Sequence, residues 1–304
     1  MEQQFLKTTT GANLNLFKVM SKSTPRGIIQ ITHGMVEHGG RYERFAEICA
    51  SEGFTVFIHD LRGHGNTRAE DAPLGRFSPS DGLKLVLEDQ NSVVDHIAKK
   101  FPNIPIIAFG HSLGAIIALN YLFLYPKKLQ AIACWNKPES GLLARLSSLL
   151  LRTESLFKDP ALTSFFAWKL SYGAWNNKFK PNRTVADWIS QDEVEVDRYV
   201  ADPLCGFDVS ISMWLDVLKA ASNSSDYERL KKIPKDFPLH LRSGENDPCT
   251  NFGRDHRNFE KKLIRLGLKN LDSTILANTR HESLNEWNRE DTIKDFINWL
   301  KVNF

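Results

Sequence analysis

The sequence predicts one α/β domain over residues 1–304, in which helices cover both faces of a mostly parallel, eight-stranded sheet. Two observations predict this fold. Short runs of β-branched and aromatic residues alternate with longer segments of helical periodicity, which is typical of parallel strands joined by helices. The length of 304 residues and the 42% hydrophobic content suit a large globular domain.

The predicted strands are short, and most are apolar throughout. Such runs are expected where a strand is covered on both faces, whereas residues 13–20 alternate and suit an outer antiparallel strand. Strands are predicted at residues 13–20, 27–32, 54–60, 104–109, 129–135, 237–243 and 272–277, and helices at 41–52, 81–101, 115–124, 252–266 and 291–302.

A helical segment between residues 136 and 212 interrupts the alternation of strands and helices. It could be a subdomain that only packs on the core. It could also be a lid over the carboxyl ends of the strands, where such sheets bind ligands. The segment is dense in leucine and aromatic residues, which favours a lid that suits a fatty chain: Leu142, Leu143, Leu146, Leu149, Leu150, Leu151, Phe165, Phe166 and Trp168.

The pentapeptide Gly110-His-Ser112-Leu-Gly114 lies between an apolar strand and an apolar helix. The glycines could have a purely structural role, which is to allow a tight turn. The same strand–turn–helix context is required of a nucleophile elbow, in which a strained turn lifts a serine hydroxyl above the sheet. We therefore predict that Ser112 is a nucleophile, provided that a base and an acid follow it.

Asp247 and His281 each follow one of the last two predicted strands, in the order that this constellation requires. A histidine takes the serine proton, and a carboxylate orients the histidine. Glu245 and Asp202 are rivals for the acid, but Asp247, fixed before a proline, is better placed. We predict the triad Ser112, Asp247 and His281.

An acyl-transfer site also needs two backbone N–H groups for the developing oxyanion. Leu113 follows the nucleophile and supplies one. The turn at His33-Gly34 leaves the amide of Met35 to supply the other, and His33 itself is predicted to brace the loop.

Other classes of function receive little support from composition. The net charge of +3 is spread out, so no nucleic acid partner is expected. The histidines match no zinc spacing, and no G-x-G-x-x-G follows an early strand, so neither metal nor cofactor is expected. No secretory pattern, membrane span or paired cysteine motif is present, which favours a reduced cytoplasmic protein.

These motifs together resemble the α/β-hydrolase family, in its monoacylglycerol lipase and lysophospholipase branch (serine aminopeptidase-like). The resemblance extends from about residue 28 to residue 300, and it implies that Glu37, Arg41 and Tyr199 line the pocket for the alcohol part of the substrate. The sequence departs from the branch in its tryptophan-rich insertion and in Cys134-Trp135-Asn136, where small residues are usual. The motifs that carry the resemblance are residues 33–42, 60–65, 110–114, 199–203, 243–248 and 281–286.

We therefore expect a serine hydrolase that cleaves single-chain lipid esters, such as monoacylglycerols or lysophospholipids, through an acyl-enzyme. The proposed lid could touch a membrane surface transiently. A short-chain esterase, or a peptidase or amidase of the same fold, is the alternative within this family. A catalytically silent binding protein is the alternative from another class.

Overall fold

The computed structural model describes the backbone of residues 1–304 and all side chains except those of Leu142, Leu143, Arg145 and Phe165. Its centre is one eight-stranded sheet in the order β1-β2-β4-β3-β5-β6-β7-β8. The pairs β1–β2 and β2–β4 are antiparallel and all others are parallel, which confirms the predicted sheet. The strands are β1 Glu2–Lys7, β2 Asn13–Val19, β3 Gly27–Thr32, β4 Phe54–His59, β5 Ile106–His111, β6 Ala131–Trp135, β7 Leu239–Gly244 and β8 Leu271–Leu276.

The sequence pattern located seven of the eight strands and missed the position of β1. Strand β1 is the outermost antiparallel strand, so β2 lies one position further in than its alternating pattern suggested. Polar residues dominate β1, as is expected where an edge faces solvent on both sides.

The helices lie on both faces of the sheet. Helices α1 and α11 contribute to the apolar cluster on one face, and α2, α3, α8 and α10 contribute to the larger cluster on the other. Cys49 and Cys134 are buried in these clusters. The helices are α1 Glu43–Ser51, α2 Gly82–Lys100, α3 Leu113–Leu124, α4 Leu142–Glu154, α5 Phe165–Trp168, α6 Ala174–Asn176, α7 Glu193–Ala201, α8 Ile211–Ser224, α9 Tyr227–Leu230, α10 Arg254–Arg265 and α11 Arg289–Asn303, with 3₁₀ turns at Gly39–Tyr42, Asn177–Phe179 and Ser283–Asn285 and a π turn at Lys169–Gly173.

The segment between β6 and α8 holds helices α4 to α7 joined by turns, consistent with the predicted helical interruption. The sequence prediction for Leu142, Leu143 and Phe165 falls outside the described side chains. Within the described part of the chain, no helix has the combined length and hydropathy of a membrane span.

The carboxyl ends of the parallel strands meet at one edge of the sheet, and the predicted site residues follow them there. Ser112 comes directly after β5, Asp247 three residues after β7, and His281 five residues after β8. Parallel strand order brings these distant positions together because all six parallel strands, β3 to β8, run toward the same edge.

Candidate active site

Ser112 occupies a strained turn between β5 and α3. Its φ of 52° and ψ of −113° lie in a region that non-glycine residues rarely adopt. The N–H of Ser112 donates to the carbonyl of Trp135 at 2.9 Å, which fixes the turn to the neighbouring strand. This backbone is the strand–turn–helix geometry that the sequence motif predicted.

The two glycines of the motif are needed for close backbone approach. A Cβ at Gly110 would overlap the carbonyl of Gly114, and a Cβ at Gly114 would overlap the carbonyl of Thr32 at the end of β3. Helix α3 therefore starts in direct backbone contact with β3 because neither position carries a side chain.

His281 and Asp247 form the hydrogen-bonded pair that a triad requires. The Nδ1 of His281 lies 2.9 Å from Oδ2 of Asp247, and the carboxylate is fully buried. Asp247 also accepts the amide Nδ2 of Asn136 at 3.1 Å and the N–H of Cys249 at 2.9 Å. Burial opposes ionisation, but His281 and these donors hold the pKa of Asp247 below its ordinary value.

The ring of His281 lies between two aromatic side chains. Trp188 stacks on it with centroids 4.8 Å apart and an interplanar angle of 37°, and His111 lies at 4.8 Å and 56°. Ser112 and His281 line the same cavity, and no hydrogen bond joins their described side chains. Such bonds are often long in a free site and shorten when substrate binds.

Both predicted oxyanion donors face that cavity. Leu113 is the first residue of α3, where N–H groups lack an intrahelical acceptor. Met35 precedes Val36, whose φ of 55° turns the chain sharply. The Val36 carbonyl accepts the hydroxyl of Tyr199 at 3.2 Å and the N–H of Gly206 at 2.9 Å, so the turn is held from both sides.

The rival residues lie elsewhere. Glu245 is exposed and accepts the N–H of Asn278 at 3.3 Å. Asp202 accepts from Nε2 of His38 at 2.9 Å, and His33 joins two loops by accepting the N–H of Leu61 at 2.9 Å. The structure therefore brings Asp247, and neither rival acid, to His281.

A buried charge network lies beside the triad. Arg41 donates to both oxygens of Glu282 at 2.6 Å and to Glu37 at 2.7 Å, and its guanidinium lies 4.9 Å from the ring centre of Tyr199. Glu37 and Tyr199 line the main cavity, whereas Arg41 lies behind them and lines a second, 610 Å³ cavity. Two carboxylates, those of Glu37 and Glu282, hold Arg41 at this second cavity.

The cavity above Ser112 has a volume of about 1080 Å³. Ser112 and His281 line it together with Met35, Leu113 and Glu37, whereas Asp247 is fully buried. Most of the remaining wall comes from the inserted segment and α8, and its apolar members include Leu150, Leu151, Phe157, Phe166, Leu170 and Trp214. A largely apolar cavity with polar groups at the nucleophile suits a ligand that is mostly apolar and carries a polar group.

Sequence reasoning missed several residues of this site. Asn136 was noticed only as a departure from small residues, yet it contacts the triad carboxylate. His111 and Glu282 lie inside the motifs 110–114 and 281–286 but were given no role, and Trp188 lies in none of the motifs, because their partners lie far away in the sequence. The adjacency of Glu282 to His281, and of His111 to Ser112, was the signal that could have found these two residues.

Comparison with known proteins agrees with this geometry. The family model described as "Serine aminopeptidase, S33" matches residues 23–288. Human monoglyceride lipase is 26% identical over 74% of this chain and 66% of its own length, and the rat enzyme 28% identical over 66% and 59%. The chain thus spans less than two thirds of either relative.

A solved structure shows the same fold over the whole chain. A thermostable carboxyl esterase from Bacillus coagulans, in complex with glycerol, superposes with a TM-score of 0.91 at 22% identity, covering 99% of this chain and 98% of the esterase. The sheet thus has the α/β-hydrolase fold, and the chain belongs to the serine aminopeptidase S33 family.

Proposed function

We propose that this chain hydrolyses carboxylic esters that carry one acyl chain, such as monoacylglycerols or lysophospholipids, through a covalent acyl-enzyme. One observation carries the proposal: Ser112 and His281, the latter hydrogen-bonded to the buried Asp247, line a cavity of about 1080 Å³ with a largely apolar wall. No cofactor is assigned a role.

In the first half-reaction, the Ser112 Oγ attacks the ester carbonyl while His281 Nε2 takes the hydroxyl proton. The carbonyl oxygen becomes an oxyanion that accepts the N–H groups of Met35 and Leu113. The intermediate collapses, the ester C–O bond breaks, and His281 returns its proton to the leaving alcohol. Asp247, held by Asn136, keeps the imidazole in the tautomer that this transfer needs.

In the second half-reaction, water replaces the alcohol. His281 takes one proton from the water as its oxygen attacks the acyl carbon, and the proton then passes to Ser112 as the fatty acid leaves. The same two amides hold the second oxyanion, so one geometry serves both steps.

The two ends of the cavity suit the two parts of the substrate. Leu150, Phe157 and Leu170 offer apolar surface for the acyl chain, and each buried methylene contributes about 0.8 kcal/mol. Glu37 and Tyr199 are the polar residues assigned to the alcohol, with Arg41 supporting Glu37 from behind. The relatives named monoglyceride lipases support a glycerol ester.

We assign the lid role to residues 142–170. This part carries the exposed apolar side chains around the cavity, including Leu156 at 79% and Phe157 at 84% exposure. Solvent-facing residues of this size beside a cavity mouth suit transient contact with a lipid surface.

The test is hydrolysis by the wild-type chain and by Ser112→Ala. Monoacylglycerol, lysophosphatidylcholine and p-nitrophenyl esters of increasing acyl length are compared, with labelling by a fluorophosphonate probe as a second readout. We expect kcat/KM to rise with chain length and both readouts to vanish in Ser112→Ala. The fold should stay intact in this variant.

Three outcomes would contradict the proposal. Unlabelled wild-type protein would favour a binding protein. A preference for acetate over octanoate esters would favour a short-chain esterase. Faster cleavage of acyl amides or aminoacyl peptides than of any ester would favour a peptidase.

A further inference from the structure

His111, the residue before Ser112, touches acceptors with both ring nitrogens. Its Nε2 lies 3.0 Å from the backbone carbonyl of His281, and its Nδ1 lies 3.3 Å from Oε1 of Glu37. The imidazole is buried and lines the main cavity.

Neither neutral tautomer of His111 satisfies these partners. A carbonyl only accepts hydrogen bonds, so Nε2 must carry a proton. Glu37 is also an acceptor, since its Oε1 receives the N–H of Gly34 at 2.6 Å and the hydroxyl of Tyr42 at 2.9 Å, and its Oε2 receives Arg41. Each neutral tautomer would point one nitrogen lone pair at an oxygen lone pair.

Glu37 stays ionised in this environment. Burial opposes its charge, but His111 and Arg41 hold the pKa of Glu37 well below its ordinary value. Burial likewise opposes a charged His111, yet the hydrogen bond to Glu37 and its charge raise the pKa of His111 above its ordinary value. The charge states agree with the hydrogen-bond geometry.

His111 connects the three loops that build the site. It belongs to the serine turn, it contacts the oxyanion loop (residues 33–38) through Glu37, and it contacts the His281 loop through the His281 carbonyl. Glu37 then binds the N–H of Gly34, next to Met35. A change at this ring therefore reaches all three loops.

We propose that His111 is an imidazolium that positions the site by joining the serine turn, the oxyanion loop and the His281 loop, and that its deprotonation at alkaline pH loosens all three. The consequence for turnover rests on the proposed function; the protonation state does not. His111 is a positioning residue, since it acts through Glu37 and the His281 backbone.

Charged and titratable groups face His111 from each neighbouring element. Glu37 and Glu282 favour its proton, whereas His33 opposes it. The neighbouring charged and titratable groups are His33, Glu37, Arg41 and Tyr42 from the segment after β3, Tyr199 from α7, and His281 and Glu282 from the loop after β8.

The first experiment is nitrogen-15 NMR of the histidine rings in the intact wild-type protein, assigned with His111→Gln. At pH 7 both ring nitrogens of His111 should carry protons, and one should be lost as the pH rises. A single protonated nitrogen at pH 7 would overturn the proposal, whatever the activity. An imidazolium in a chain that cleaves no ester would leave it standing and refute the proposed function instead.

The second experiment compares pH profiles of kcat and KM for wild type, His111→Gln and the control His96→Gln on α2. A neutral glutamine amide loses the charge-assisted bonds, so kcat should fall roughly ten- to hundredfold with little change in KM. The alkaline fall of kcat/KM at the His111 titration should disappear, and His96→Gln should keep the wild-type profile. An unchanged kcat and alkaline limb in His111→Gln would refute the positioning role.

If His111→Gln fails to fold, Glu37→Gln supplies the readout. Loss of the carboxylate should shift the His111 ring titration to lower pH. An unshifted titration would contradict the proposed pairing with Glu37.

Discussion

Two parts of the inserted segment are attached to the rest of the molecule in opposite ways. The inner turn (residues 186–192) is attached by hydrogen bonds to the loop that carries His281 and by an ion pair to Arg289 of α11. The outer helices (residues 142–170) are attached mainly by a small apolar cluster. The difference indicates which part is able to move.

The inner turn makes a dense set of contacts with the loop after β8. Ile189 accepts the N–H of Glu282 at 2.7 Å, and Ser190 accepts Arg280 at 2.9 Å. The buried carboxylate of Glu286 binds the N–H groups of Arg280 at 2.7 Å and Gln191 at 3.1 Å. Moving this turn would disturb the triad histidine.

The outer helices contact the fold chiefly through Leu151, which packs with Ala167 and Ile211. Two backbone bonds, from the N–H groups of Ile211 and Ser212 to carbonyls of the connecting turn, add to this. An apolar contact can slide or open without leaving buried polar groups unpaired. We therefore propose that opening of the lid would involve the outer helices alone.

The largest expected effect is on the stability of the fold outside the insertion, and it comes from acid. Burial lowers the pKa of His33, His240 and His256 to about 4, and of His59 and His64 to about 3. The unfolded chain binds these protons below about pH 6.5, so the free energy of unfolding should decrease as the pH falls from 6.5 toward 4. Each of these histidines should lower the free energy of unfolding by roughly 2 kcal/mol at pH 5.

Urea unfolding at pH 7, 6 and 5 measures this decrease. No histidine lies between residues 136 and 212, so the inserted segment contributes none of the five groups. Replacing His256 with Gln should make the dependence shallower. A stability that is flat between pH 7 and 5 would show that these imidazoles are protonated in the folded protein.

The next largest effect is expected from Glu286→Ala, which tests the attachment of the inner turn. Two partly buried N–H groups lose their acceptor, each at a cost of about 1 kcal/mol. Urea unfolding should show the loss, and ester turnover should fall because the His281 loop is released. Glu193→Ala, at an exposed position of α7, is the matched control and should change neither.

Leu151→Ala tests the attachment of the outer helices. Removing this buried side chain should lower the local stability of the outer helices by about 2–5 kcal/mol. Hydrogen exchange and proteolysis should increase in residues 142–170, while hydrolysis of acetate esters stays near the wild-type rate. A large loss of acetate hydrolysis would mean that the two parts of the insertion move together.

The smallest effect on stability is expected from the double change Leu156→Ser with Phe157→Ser. Both side chains are exposed, so unfolding should shift by less than about 0.5 kcal/mol. Binding to lipid vesicles and turnover of vesicle-bound ester should nevertheless decrease. Equal vesicle binding by the variant and the wild type would remove the proposed surface contact.

The sequence was sufficient for features that depend on local patterns. The strand, turn and helix around Ser112 and the positions of Asp247 and His281 after late strands follow from periodicity and order. Strand β1 was missed because an exposed edge carries little apolar pattern. Asn136 and Trp188 were missed as triad contacts because these form only when loops distant in sequence meet.

The glycine contact between helix α3 and the end of β3 has a consequence for exchanging parts between relatives. Because Gly114 lets the backbone of α3 touch the backbone at the end of β3, the serine turn and the oxyanion loop are placed against each other without residues 142–170. Residues 142–170 could then be replaced by the matching segment of another family member without redesigning the triad. The chimera would then show the acyl preference of the protein that donated the segment, while it would catalyse the same reaction as this protein.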